Sequence, residues 1–113
     1  MKVSSIEGVF SVLEEHKIRP KQISNMLGCS VSTIYRWKYN PEVIEDSSRR
    51  FLFIIAEVLL NEEGEVLSVL KHAADYEQGS YALYLFLYRY YLKKGLSPID
   101  TNIFKDRVEE SLA

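Results

Sequence analysis

Apolar residues recur at helical spacing along nearly the whole chain. Ile6, Val9, Phe10 and Leu13 follow the three-and-four rule, and Ser4 with Glu7 three residues later has the pattern of a capping box. A first helix is therefore expected over about residues 5–16. Pro20 stands where a second helix would start, Ile23, Met26 and Leu27 give it a buried side, and Gly28 ends it. Ser30 can cap a third helix with inner positions Ile34 and Trp37, which Pro41 stops near Asn40. A polar connection, Pro41 to Ser48, offers Asp46, Ser47 and Ser48 as N-caps. Phe51, Leu52, Ile55, Ala56, Val58 and Leu59 then mark a fourth helix ending near Asn61. Val66, Leu67, Val69, Leu70 and Ala73 make residues 62–74 a fifth helix or a continuation of the fourth. Gly79 and Ser80 punctuate the chain before a helix over 81–94, closed by Lys93, Lys94 and Gly95. Ser97-Pro98 restarts it, and Ile103, Phe104, Val108 and Leu112 space a last amphipathic helix. No strand alternation, internal repeat or low-complexity segment intervenes. The expected class is all-α, with an N-terminal module over residues 1–60 and a second helical region over 61–113.

Composition narrows the function classes. A chain of 113 residues, 47% hydrophobic and 27% charged, is apolar enough to fold and too short for a large multi-domain enzyme. Cys29 is the only cysteine, so no intrachain disulfide forms and zinc-finger spacing is absent. No signal sequence is apparent, and the longest apolar run, Tyr81 to Tyr88, falls far short of the roughly 20 residues a membrane span requires. The expected location is the cytoplasm, with no membrane partner. His16 and His72 make no metal-ligand constellation. Glu14-Glu15 and Glu62-Glu63 are neighbours in sequence only, because adjacent helical residues point about 100° apart. With no phosphate loop, nucleophile elbow or metalloprotease motif, neither an enzyme nor a cofactor is expected.

Charge distribution says more than the net value of -2. From Lys17 to Pro41 there are five basic residues (Lys17, Arg19, Lys21, Arg36, Lys38) and no acid. The remainder holds nine basic residues against all sixteen acids, a net of -7. A small cationic segment on an acidic body points to one anion-facing surface.

That segment also carries a packing signature. Two short helices joined by a tight turn need a small residue at their crossing, supplied by Ser24, and a left-handed residue in the turn, supplied by Gly28. Ile23, Leu27, Cys29, Ile34 and Trp37 are the apolar residues that lock the pair, with Cys29 and Trp37 read as core. Val31, Ser32, Tyr35, Arg36 and Tyr39 remain for the outer face. This arrangement resembles the helix-turn-helix of bacterial and phage regulators, most closely the lambda repressor and Cro-like superfamily, over about residues 6–60. Ile34, Arg36 and Trp37 match its Ile-x-Arg-Trp ending. Cys29 departs from the branched aliphatic usual there, and Ser24 from the usual alanine. The resemblance implies that the helix of about residues 30–39 enters the major groove of double-stranded DNA. Arg36 would then take a guanine edge, Ser32 a base hydrogen bond and Val31 a thymine methyl. Lys21, Gln22, Thr33, Tyr35 and Lys38 would contact the phosphate backbone, while Arg49 and Arg50 either reach it or are simply exposed.

The second half is richer in aromatics than such a module needs. Six of the eight tyrosines fall between Tyr76 and Tyr91. A helix apolar all round is central in a core or shared between subunits. Tyr81, Tyr84, Leu85, Tyr88, Tyr91 and Leu92 are therefore expected at a homo-oligomer interface, which would also double a site of about four base pairs per recognition helix. The implied function is a transcriptional regulator of phage or mobile-element type. An activator would need a surface facing RNA polymerase, for which Glu42, Glu45 and Asp46 are the candidates. The alternatives are a DNA-binding accessory of packaging, excision or replication, and a protein–protein adaptor that keeps the helical fold.

Overall fold

The computed structural model describes residues 5–61, 64–77 and 79–95, and every regular element among them is helical. The all-α expectation holds; the helix expected around Ile103 to Leu112 lies outside the described residues. Helix α1 spans Ile6–Glu15. Its cap is Ser5 rather than Ser4, which is itself outside the described residues: Ser5 is extended and its Oγ accepts the Gly8 amide at 3.0 Å. At the other end the Lys17 amide donates to Glu14 O at 2.9 Å and the Ile18 amide to Leu13 O at 2.8 Å. This is a Schellman closure with Lys17 at φ 60° in the position that glycine usually takes.

Helix α2 spans Pro20–Leu27 and α3 spans Val31–Tyr39. Pro20 opens α2 as expected, where a missing N–H costs nothing. Gly28 ends it at φ 72°, its amide donating to Ser24 O at 2.8 Å. Ser30 caps α3 by accepting the Thr33 amide at 3.2 Å. After Asn40 the chain makes a short 3-10 turn, Pro41–Val43, and buries Ile44 directly behind it. The supposed polar connection thus also contributes to the core.

Helices α4 (Asp46–Asn61) and α5 (Glu65–Ala74) are separate, with Gly64 at φ 66° before the second. Helix α6 runs Gly79–Lys93, two residues earlier than expected. Gly79 is a packing contact rather than a break: a Cβ there would overlap the Ala73 carbonyl at the end of α5.

Helix α1 packs on α4, while α2 packs on α3, α5 and α6, and α5 on α6. Two buried hydrogen bonds fix α2 in that position. Asn25 Nδ2 donates to Ala74 O at 2.8 Å, and Tyr84 OH donates to Leu27 O at 2.8 Å. Both acceptors are helix-end carbonyls left without a partner by their own helix. One hydrophobic cluster runs across residue 60, joining Met26, Leu27 and Phe51 to Leu70, Ala74, Leu83 and Leu87. Among the described residues no helix is long and apolar enough to cross a membrane.

Candidate nucleic-acid interface

Ile34 and Trp37, one turn apart, are the buried residues of α3. The helix is therefore anchored along one stripe, against α2 and the Pro41–Val43 turn. Its opposite face carries Ser32, Tyr35, Arg36 and Tyr39, all exposed, with Tyr35 at 47% and Tyr39 at 87%. No acid lies on this helix. The Arg36 side chain makes no hydrogen bond or ion pair among the described residues; it is exposed and borders a cleft shared with Thr33, Trp37, Val43 and Glu45.

Other residues expected at this surface have local work. Val31 is half-buried rather than fully presented. Thr33 is half-buried and its hydroxyl lies 2.9 Å from Ser30 Oγ within the cap, while Ser32 Oγ lies 3.0 Å from the same atom. Gln22 Oε1 accepts the Arg19 amide at 2.8 Å, capping α2, and its Nε2 donates to Asp75 Oδ1 at 3.0 Å. Lys21 Nζ pairs with Glu77 at 3.4 Å and Lys38 Nζ with Glu14 at 3.1 Å. Arg49 is half-buried and donates to Pro41 O at 3.0 Å, which ties α4 to the turn, whereas Arg50 is exposed. Trp37 is in the core as expected, but Cys29 is only half-buried at its edge.

The acid-free stretch of sequence is therefore not acid-free in space. Asp75 and Glu77, in the connection from α5 to α6, stand beside the start of α2. With Arg19, Lys21, Gln22, Val31 and Tyr35 they line a cleft of about 650 Å³. No local pattern signals this, because the partners are 53 and 56 residues apart. Exposed pairs of this kind contribute only about 0.2–1 kcal/mol each and are readily exchanged for another anion.

The residues expected at an oligomer interface separate into the buried Tyr84, a stripe of four, and Tyr91, which packs against the core edge and Tyr90. Tyr84 lies inside, 3% exposed, edge-on to Phe51 and bonded to Leu27 O. It is withdrawn from any subunit surface. Tyr81, Leu85, Tyr88 and Leu92 recur at four, three and four residues, which places them on one stripe of α6. Tyr81 and Leu92 are exposed; Leu85, Tyr88 and Tyr91 are half-buried. No protein-family model, curated protein or solved structure matches the chain.

Proposed function

We propose that the protein is a cytoplasmic, sequence-specific regulator that binds double-stranded DNA through a helix-turn-helix formed by α2 and α3. The observation that carries this reading is the outward face of α3. Ser32, Tyr35 and Arg36 are exposed on a helix held from one side only, with hydrogen-bonding and cationic groups and no acid. A side chain that reads bases must stand on a fixed backbone and remain unpaired; α3 is anchored on α2 and the Pro41–Val43 turn, and the Arg36 side chain has no partner among the described residues. Ser32 lies one turn before it on the same face, and Val31 borders the cleft on the α2 side. Lys21, Tyr35 and Lys38 would contact phosphate, the two lysines after exchanging their carboxylate partners. The apolar stripe Tyr81, Leu85, Tyr88 and Leu92 supports pairing of two copies, which would set half-sites about 34 Å apart.

Selection from random duplexes, followed by titration of wild type and Arg36→Ala, tests the reading. It predicts an enriched repeated or palindromic site, with the variant losing discrimination at one base position by about 1–3 kcal/mol. Salt-sensitive binding without an enriched sequence would replace the regulator by an accessory of packaging or replication. A protein–protein adaptor is the second reading. The pairing of Lys21 and Lys38 with carboxylates favours it, because it lowers the free positive charge of this face. Absence of binding even at low salt would select it.

A further inference from the structure

We infer that Asp75 and Glu77 act as a built-in brake on DNA binding, holding on α2 the groups that a phosphate would otherwise take. The inference rests on the DNA reading of α2 and α3 and concerns regulation of that same surface. Gln22 Nε2 and Lys21 Nζ, both in the first turn of α2, are the donors expected to meet the phosphate backbone, and each points to a carboxylate of the α5–α6 connection. The first turn of a helix also bears its positive end, which favours an anion there from whichever source.

The connection is held in place on both sides. Asn25 grips Ala74 O immediately before Asp75, and Gly79, two residues after Glu77, abuts the end of α5. The carboxylates are therefore positioned by the buried packing of α2 on α5, while their own contacts are solvent-exposed and exchangeable. Phosphate must displace them, and once displaced they remain beside the DNA as like charges. Part of the counterion release on binding is then cancelled, because Glu77 regains a cation as Lys21 leaves it.

The test compares wild type with Asp75→Asn/Glu77→Gln on one mixed-sequence duplex across a series of salt concentrations. Glu65→Gln serves as a control, removing a charge at the opposite end of α5, about 15 Å along the helix. The brake predicts about tenfold tighter binding by the double variant at low salt and a log-log salt slope steeper by about one unit, with less than about twofold change for Glu65→Gln. It also predicts that Lys21→Gln weakens the double variant more than it weakens wild type. Unchanged affinity and slope in a double variant with native circular dichroism would overturn the brake while leaving the DNA reading intact. Absence of binding by both proteins would overturn the DNA reading and the brake with it.

Discussion

Lys17 closes α1 at φ 60°, a conformation that costs a residue bearing a Cβ about 1–2 kcal/mol. Lys17→Gly removes that cost and returns part of it as unfolded-chain entropy, so a net stabilisation of about 0.5–1 kcal/mol is expected in chemical denaturation. Tyr84 is the opposite case. Its hydroxyl satisfies Leu27 O in a buried setting, so Tyr84→Phe is expected to destabilise by about 1–2 kcal/mol, again read from denaturation midpoints. At this scale the sequence was legible wherever a residue acts on its near neighbours. Pro20, Gly28, Ser30, Ile34 and Trp37 each hold the position expected from local chemistry. It was illegible where a side chain acts across the fold. Tyr84 reads as surface by its aromatic surroundings and is interior because α2 needs a donor for its last carbonyl. Gln22 reads as a phosphate ligand and is engaged as a cap and a partner of Asp75.

Among the elements, α2 organises the molecule. It touches α3, α5 and α6, so the surface proposed to meet DNA is joined to the C-terminal helices chiefly through this eight-residue element. Any strain between α5 and α6 should reach that surface. Gly79→Ala places a methyl on the Ala73 carbonyl and is expected to cost about 1–3 kcal/mol. Amide hydrogen exchange is expected to show the loss of protection at the start of α6 and in α2, with α1 and α4 affected least. Equal loss everywhere would contradict the role given to α2. The periodicity of apolar residues located every described helix, because burial of one stripe is a local property of sequence. It did not reveal that Gly79 begins a helix, nor that Ile44 is core. Both depend on which element arrives from elsewhere.

For the whole molecule, charge and assembly decide the behaviour. The separation of a basic segment from an acidic body is real in sequence, but folding brings Glu14, Asp75 and Glu77 against that segment. On the proposed reading, affinity for DNA is therefore modest for a single copy and depends on pairing. On the same reading a dimer is expected by sedimentation and a monomer for Leu85→Glu, which puts a charge in the middle of the α6 stripe while leaving the buried Leu83, Tyr84 and Leu87 in place. A wild-type chain that remains monomeric at high concentration would rule out the oligomer. The most direct test of the DNA-reading surface is amide chemical-shift mapping of the protein titrated with duplex DNA at low salt. The largest changes are expected on Ser30 to Lys38 and on the first turn of α2, and they should fade as salt is raised. No change at low salt, or changes confined to α6, would contradict the DNA reading.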